Sequence, residues 1–289
     1  MKKTIKYFFQ AVIVYFFYII AKIIGLKLSR NFFSYLFNKL GPFLKSTKII
    51  NENLNRFMGP YNENKKKSIQ VQMWSNYGKT FIEYLFLKRF RKNNSHIKIE
   101  GEEILQNIIK KNKPVIFVSG HFANFELMSM ELTKRNIKLA TIYRPLNNFF
   151  LNPFMELVRK KYICKNQIKK GLPGVKSTIT FLQNNFSIAL MIDQRVSEGK
   201  RLPFFGSMAL TTTLPAQLAI KYQLDIVPIY IARNKDNNFE MEVYEPLKIL
   251  NKEDAELSKL DLTIKLNKVA EKMISRDPGQ WIWTHNRWK

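Results

Sequence analysis

The stretch Pro114-Val-Ile-Phe-Val-Ser-Gly-His-Phe-Ala-Asn-Phe-Glu126 changes from a continuous apolar run to a small and polar turn. The run at 115–118 predicts a buried strand that ends near Ser119, and Gly120 predicts a tight turn. Asn124 is a favoured N-cap residue, so a helix is predicted to begin there. A buried strand, a turn and a helix in this order form the unit from which parallel α/β sheets are built.

His121 and Glu126 are the residues of this stretch that are best suited to chemistry. The chain has only three histidines, and a histidine can take and return a proton near neutral pH. Two residues five apart on one helix lie about 140° apart, so these two can meet only if His121 lies in the turn and folds back. Glu126, in the first helical turn, is predicted to stay ionised, to hold the imidazole Nδ1–H and to leave Nε2 free as a base. The alternative is that His121 only closes the turn.

The composition indicates one globular domain with appendages and an anionic partner. Of the 289 residues, 46% are hydrophobic, which is enough for a substantial core. The 48 Lys and Arg against 22 Asp and Glu give a charge of +26, which predicts nucleic acid, an anionic membrane surface, or an acidic protein or lipid as partner. A background rich in Lys, Asn and Ile accounts for part of this excess. The single Cys164 excludes an intramolecular disulfide and a cysteine metal cluster, and it fits a reducing compartment.

An N-terminal apolar segment favours the membrane among these partners. Residues 7–26 are apolar except for Gln10, Lys22 and several Tyr and Gly positions, and lysines flank the segment on both sides. A secretory signal peptide is the competing interpretation, but the segment has no small-x-small cleavage site. Whether it spans the bilayer or lies in the interface stays open, because about 20 residues are barely enough to span. Residues 29–44 are amphipathic and fit either the membrane interface or the core of the domain.

Beyond residue 90, strand and helix patterns alternate. Strands that are separated by about 10 to 15 helical residues imply crossover connections and a largely parallel sheet. Sites in such folds form at the carboxyl ends of strands, where His121 is predicted to lie. The predicted strands are 97–99, 115–118, 138–143, 187–192, 226–232 and 240–244. The predicted helices are 125–134, 149–161, 175–184, 214–222 and 261–275.

Several motifs, in order along the chain, resemble one family. They are Asn53-Leu54, Trp74-Ser-Asn-Tyr-Gly-Lys-Thr-Phe-Ile-Glu83, Gly120-His-Phe-Ala-Asn-Phe-Glu126, Tyr143-Arg-Pro-Leu-Asn-Asn148, Asp193-Gln194, Pro203-Phe-Phe-Gly206, Val227-Pro-Ile229 and Trp281-Ile-Trp-Thr-His285. The pattern is similar to that of the bacterial lipid A late acyltransferases, the lauroyl/myristoyl acyltransferase family. This family lies within the lysophospholipid/glycerol-3-phosphate acyltransferase-like superfamily. The resemblance covers nearly the whole chain, and it depends on the order and spacing of the motifs rather than on any single one.

The resemblance implies a glycerolipid-acyltransferase-like α/β fold, with a largely parallel sheet flanked by helices and an N-terminal membrane anchor helix. It places the protein at the bacterial inner membrane with its catalytic domain facing the cytoplasm. The anchor would comprise residues 1–28 and the acyltransferase domain residues 29–289. Within that domain, residues 29–90 would form a helical, membrane-proximal part and residues 91–289 the catalytic α/β core.

The resemblance also implies a reaction. A fatty acyl chain would move from acyl carrier protein to a hydroxyl on a primary 3-hydroxyacyl chain of a Kdo-bearing lipid A precursor. His121 would be the general base, and Glu126 would orient the imidazole. Both substrates are anionic, which fits the positive charge of the chain. No metal, cofactor or nucleic acid is expected to take part.

Candidate substrate-binding residues follow from the same resemblance. Arg144 lies in the second motif of the superfamily, where an arginine meets the acceptor's phosphate, and Pro145 keeps it extended. Arg159 matches an arginine on the next helix, and Ser197-Glu-Gly-Lys-Arg201 resembles a Pro-Glu-Gly-Thr-Arg block from which it differs at two positions. A surface turn is the alternative for Arg144 and a solvated basic face is the alternative for Arg159, while Asp193 and Gln194 are predicted to shape the floor of the site. The predicted substrate-binding set is Asn124, Tyr143, Arg144, Arg159, Asp193, Gln194, Glu198 and Arg201.

The other two histidines and the tryptophans are not predicted to be catalytic. His96 and His285 lack a carboxylate at a suggestive spacing, which favours packing or surface roles. The tryptophan-rich tail fits a membrane interface or one face of a terminal strand. Its residues are Trp281, Trp283 and Trp288.

Two other functions stay open. The first is an acyltransferase with the same catalytic pair that acts on another lipid, such as a lysophospholipid, an ornithine lipid or a glycolipid. The second is a basic, membrane-tethered protein that binds anionic lipid or nucleic acid without catalysis. The second function leaves the ordered motifs unexplained.

Overall fold

The computed structural model describes residues 2–247 and 255–289, where helices surround a central sheet. The strands, numbered along the chain, are β1 (Ile97–Glu100), β2 (Ile116–Ser119), β3 (Leu139–Tyr143), β4 (Asn166–Lys169), β5 (Ser187–Met191), β6 (Lys200–Phe204), β7 (Ser207–Thr211), β8 (Ile226–Arg233) and β9 (Phe239–Val243). In this part of the chain, seven of them form one sheet in the order β1-β9-β8-β2-β5-β3-β4. Neighbours are parallel except for the antiparallel pair β8 and β9. β6 and β7 form a separate antiparallel ribbon.

Helices cover both faces of the sheet. They are α1 (Lys2–Leu44), α2 (Thr47–Met58), α3 (Glu63–Glu83), α4 (Leu87–Lys92), α5 (Glu102–Lys111), α6 (Glu126–Lys134), α7 (Asn152–Tyr162), α8 (Leu172–Gln183), α9 (Leu214–Tyr222) and α10 (Ala255–Arg276). Short 3-10 turns lie at Tyr84–Phe86 and Pro278–Gln280. The predicted α/β architecture with a mostly parallel sheet is therefore confirmed.

β2 is the central strand of the sheet, and the turn that contains His121 follows it directly. Its four residues are all buried, as expected for a parallel strand that is covered on both faces. Ile116 and Val118 contribute to one hydrophobic cluster, and Phe117 between them contributes to the cluster on the other face. This alternation fixes β2 between two packed layers, so the turn that follows Ser119 has a rigid support.

The N-terminal helix α1 is long and apolar enough to cross a membrane, with a mean hydropathy of 2.0 over its most apolar window. Gly25 divides it, because its φ of 77° and ψ of 173° are not helical. Ala11, Tyr18 and Ala21 are buried on one face, at helical spacing. The opposite face is exposed and apolar, at Phe8, Val12, Ile13, Phe16, Ile19 and Ile23. The helix therefore packs on the rest of the chain along one side only.

The sequence patterns missed the less regular elements. β4 is polar and only four residues long. β6 contains Pro203, and a proline in the sequence argues against a central strand; β6 tolerates it because it pairs with β7 alone. The predicted pair at 226–232 and 240–244 is confirmed as the antiparallel pair of β8 and β9. Its turn holds Asn237 in a left-handed conformation with a φ of 60°.

Candidate active site

His121 and Asp193 meet because their strands are parallel neighbours. β2 ends at Ser119 and β5 ends at Met191, and these two residues are register partners. The carboxyl ends of parallel strands lie at the same edge of a sheet. The residues two positions beyond the partners, His121 and Asp193, are therefore brought side by side although they lie far apart in the sequence.

Asp193 fixes the imidazole of His121 in one orientation. Its Oδ1 lies 2.8 Å from His121 Nδ1, while its Oδ2 accepts from the His121 backbone N–H at 2.9 Å and from Trp281 Nε1–H at 2.7 Å. Burial opposes ionisation of Asp193, but the charge and the hydrogen bonds of His121 and the indole N–H together lower its pKa to about 2. An ionised Asp193 selects the tautomer with Nδ1–H and leaves Nε2 of His121 for a substrate.

The loop that holds His121 is tightly constrained. A Cβ at Gly120 would come within 2.6 Å of the Phe122 ring, so only glycine fits there without rearrangement. Ala123 adopts a φ of 42°, which is strained for a residue with a side chain. Its N–H donates to the Gln280 carbonyl at 3.1 Å, and its carbonyl accepts from Thr80 Oγ1 at 2.9 Å. These bonds hold the strained loop in place from two sides.

The prediction that Glu126 orients His121 is wrong, because Glu126 points to a different partner. Its Oε1 accepts from Arg159 Nη2 at 2.6 Å and Nε at 2.8 Å, and from Tyr84 Oη–H at 2.6 Å. Glu126 opens α6 and faces α7, which carries Arg159, whereas Asp193 comes from the strand beside His121. Although burial opposes the charge of Arg159, the carboxylate raises the pKa of this guanidinium. The positioned cation is thus Arg159, and Glu126 is its counter-ion.

The predicted N-cap role of Asn124 is also wrong. Its side chain donates from Nδ2 to Glu83 Oε2 at 2.9 Å, and α6 begins at Glu126 without a side-chain cap. Glu83 is fully buried, and its carboxylate accepts hydrogen bonds from Arg30 Nε at 2.7 Å and from Arg233 Nη2 at 3.0 Å. Burial opposes its ionisation, but the two arginines lower its pKa. Asn124 therefore links the loop of His121 to a buried ionic network between α1, α3 and β8.

Two cavities meet at His121. The larger has a volume of about 520 Å³ and mostly apolar walls from α1, α3, α7 and the C-terminal segment. Its apolar residues include Val14, Tyr18, Phe81, Phe125, Phe154 and Trp281. The smaller cavity, of about 240 Å³, carries cationic side chains from Arg144, Lys170 and Arg195. Both are lined by His121, Phe125, Arg159, Gln194 and His285.

The structure brings four of the eight predicted substrate-binding residues to the walls of these cavities, namely Tyr143, Arg144, Arg159 and Gln194, while Asn124 and Asp193 lie behind His121 in the contacts described above. Arg144 is exposed at the rim of the smaller cavity, and Tyr143 beside it donates to Glu156 at 2.7 Å. Among the described residues that line the two cavities, Glu198 and Arg201 do not occur, and both side chains are exposed. The predicted contact of these two residues with an acceptor therefore gains no support from the geometry.

Sequence reasoning missed the contribution of the C-terminal segment. Trp281, Trp283 and Trp288 are buried, so the membrane-interface interpretation of these tryptophans is wrong. The Trp281 backbone forms an antiparallel bridge with Phe122. This bridge places the Trp281 indole within hydrogen-bond distance of Asp193. His285 accepts from the Arg195 backbone N–H through Nε2 at 2.9 Å, and burial lowers its pKa to about 4. The spacing of the tryptophans signalled one buried face, but their partners lie far away in the sequence.

His96 and Cys164 lie outside the two cavities. His96, for which the sequence suggested no carboxylate, lies 3.6 Å from Glu131 Oε1 through its Nε2. Cys164 is a buried free thiol. Within residues 2–247 and 255–289, no cluster of three or more His, Cys, Asp and Glu side chains is arranged to hold a metal ion.

The fold and the site define an α/β protein with a His–Asp pair at the carboxyl ends of parallel strands, beside an apolar cavity. Residues 2–289 match the family described as bacterial lipid A biosynthesis acyltransferase. The chain therefore belongs to this family. It is 23% identical over 190 residues to lipid A biosynthesis acyltransferase 2 of Shigella flexneri, a match that covers 64% of this chain and 58% of that relative.

Proposed function

We propose that the protein transfers a fatty acyl chain from the thioester of acyl carrier protein to a hydroxyl on a primary 3-hydroxyacyl chain of a Kdo-bearing lipid A precursor. The observation that carries this proposal is the His121–Asp193 pair at the mouth of the apolar cavity, with Nδ1 and Oδ1 2.8 Å apart. A positioned base with a fixed tautomer activates a hydroxyl, and the adjoining apolar cavity suits a hydrocarbon chain. Membership of the family supports a lipid A precursor as the acceptor, and the acyl carrier protein donor follows from the resemblance of the motifs.

The reaction requires one base and no covalent enzyme intermediate. Nε2 of His121 takes the proton of the acceptor hydroxyl as its oxygen attacks the thioester carbon. Asp193 stabilises the resulting imidazolium through Nδ1–H. When the tetrahedral intermediate collapses, the carbon–sulfur bond breaks and the imidazolium returns the proton to the departing thiolate. General base catalysis of this kind contributes about 10²–10⁴-fold in rate.

Arg159 is positioned to stabilise the oxyanion of that intermediate. It lines both cavities together with His121, and Glu126 and Tyr84 fix its guanidinium. A preorganised cation in a site with few waters stabilises developing negative charge more strongly than water does. In this proposal Glu126 is a positioning residue that acts through Arg159.

The smaller cavity suits the anionic head group of the acceptor. Arg144 follows β3, Lys170 follows β4 and Arg195 lies four residues beyond β5, so these cations gather at the carboxyl edge of three parallel strands. Phosphates and sugar carboxylates bind such groups through charge-assisted hydrogen bonds. With α1 in the inner membrane and the catalytic domain on the cytoplasmic side, the acceptor would approach from the bilayer.

Mass spectrometry tests the reaction. Membranes that contain wild-type protein or His121→Ala are incubated with Kdo-bearing lipid A precursor and a mixture of acyl carrier proteins of different chain lengths. We expect the precursor to gain the mass of one acyl group with wild type alone. A gain on a lysophospholipid, ornithine lipid or glycolipid instead would keep the chemistry and change the acceptor, and an equal gain with His121→Ala would contradict the proposal.

A pair of variants tests the role of Arg159. We expect Arg159→Gln to lower kcat by about 10²–10³-fold, which is the usual cost of removing one oxyanion donor. This change also leaves Glu126 as a buried, unpaired charge, so the melting temperature should fall. The double variant Arg159→Gln/Glu126→Gln removes that charge and should recover the melting temperature while kcat stays low. Recovery of kcat in the double variant would show that Arg159 has only a structural role.

A further inference from the structure

The N-terminal helix contributes wall residues to the apolar cavity beside His121. Val14 and Tyr18 of α1 line it together with Phe81 of α3 and Phe154 of α7. The Tyr18 ring lies 5.4 Å from that of Phe81 and 5.5 Å from that of Phe154, measured between centroids. A segment whose composition indicates a membrane anchor is thus part of the cavity that begins at the proposed catalytic base.

Polar contacts fix α1 in this position. Tyr15 Oη–H donates to the Phe150 carbonyl at 2.9 Å, and Asn148 Nδ2 donates to the Tyr7 carbonyl at 2.9 Å. Further along the helix, Lys22 Nζ donates to the Leu85 carbonyl at 2.6 Å. The small Ala11 and Ala21 are buried on the same face and allow a close approach of the helix. The contacts reach the loop before α7 and the turn after α3, and these two helices contribute Phe154 and Phe81 to the same cavity.

We propose that Val14 and Tyr18 of the N-terminal helix select the length of the transferred acyl chain. This inference rests on the proposed acyl transfer. The carbon that reacts must lie next to His121, so the chain attached to it extends from there into the apolar cavity towards α1. About 520 Å³ lies within the range of a site for one small ligand, which suits a single hydrocarbon chain. A saturated chain has no polar group to satisfy, so its fit depends on the apolar volume that these two side chains leave.

Substitution of Val14 should change this volume in either direction. Val14→Phe narrows the cavity, and we expect the ratio of short-chain to long-chain transfer to rise by about tenfold, since one or two methylene groups in an apolar pocket are worth that much. Val14→Ala widens the cavity and should shift the ratio towards longer chains. Val12→Phe is the matched control, because Val12 is 48% exposed on the opposite face of the same helix. Its chain-length profile should equal that of wild type.

The experiment compares transfer from a mixture of acyl carrier proteins of increasing chain length for wild type and the three variants in detergent. Opposite shifts in Val14→Phe and Val14→Ala with an unchanged profile in Val12→Phe are the expected result. Equal profiles in all four proteins would overturn the inference but leave the proposed acyl transfer intact.

A binding readout makes the inference independent of turnover. Trp281 lines the same cavity, so brominated straight-chain fatty acids should quench its fluorescence when they bind. We expect Val14→Phe to weaken quenching by long chains more than by short ones, and Val12→Phe to leave both unchanged. Absence of transfer in every protein together with this quenching pattern would contradict the proposed acyl transfer and retain only chain-length-selective binding at Val14. Identical quenching in Val14→Phe and Val12→Phe would overturn it.

Discussion

Replacement of Asp193 by Asn should lower kcat by about 10²–10⁴-fold, the range that general base catalysis contributes. The two oxygens of Asp193 accept three N–H groups, two from His121 and one from Trp281. An Asn side chain has one oxygen and one NH₂ group. In one orientation the NH₂ group would face the His121 backbone and Trp281 N–H groups, which are donors themselves, and in the other it would face His121 Nδ1. If it donates to Nδ1, the proton of the imidazole moves to Nε2, and the base is lost.

The control for this variant is a second aspartate. Asp225 is exposed just before β8, and Asp225→Asn should keep wild-type kcat and membrane association. The KM for the acyl carrier protein should change little in Asp193→Asn, because Asp193 acts through His121. A kcat for Asp193→Asn within a few-fold of wild type, alongside an inactive His121→Ala, would show that the imidazole needs no carboxylate.

The same carboxylate makes stability depend on pH. The pKa of Asp193 is lowered from 3.8 to about 2 in the folded protein, despite the opposing effect of burial. A group with a lowered folded-state pKa stabilises the fold above its unfolded pKa, and this contribution disappears as the pH falls through the folded one. The contribution of Asp193 is therefore fully present at neutral pH.

Replacement of Glu83 by Ala should lower the free energy of unfolding by about 3–5 kcal/mol, as expected when one partner of a buried ion pair is removed. Arg30 and Arg233 would keep their charges within the core and lose their shared carboxylate, and Asn124 would lose its acceptor. The effect should reach the site, because Asn124 belongs to the loop that carries His121. Chemical denaturation of the detergent-solubilised protein measures the loss.

A surface ion pair supplies the comparison. Glu102 pairs with Arg135 at 2.8 Å, and its side chain is 40% exposed, so Glu102→Ala should cost less than about 1 kcal/mol. Glu83→Gln, which retains the hydrogen-bonding shape without the charge, should fall between the two. If Glu83→Ala and Glu102→Ala proved equally stable, the network around Glu83 would not hold the loop.

Much of the fold follows from local patterns, whereas the pairing within the site does not. The apolar run that ends at Ser119 and the glycine after it were enough to place His121 at a strand end. Its short distance along the sequence favours Glu126 as the partner of His121. The actual partner, Asp193, follows a different strand, and only the adjacency of β2 and β5 reveals the contact.

The predicted domain boundaries stay predictions. The structure divides α1 at Gly25, close to the end of the proposed anchor at residue 28, yet the segment on either side packs against the same helix α3. Hydropathy identified the apolar helix but could not show that one of its faces lines a cavity. The cavity forms only where side chains from α3 and α7 meet this face, and the pattern of residues 2–44 contains no information about those helices.

The most direct test of the central claim is the protonation state of His121 itself. With only three histidines in the chain, ¹⁵N labelling of histidine followed by long-range ¹H–¹⁵N correlation resolves each ring, and His121→Ala identifies the signals of His121. At neutral pH, the neutral form of His121 should carry its proton on Nδ1 in wild type and on Nε2 in Asp193→Asn. A proton on Nε2 of His121 in the wild-type protein would contradict its role as the base held by Asp193.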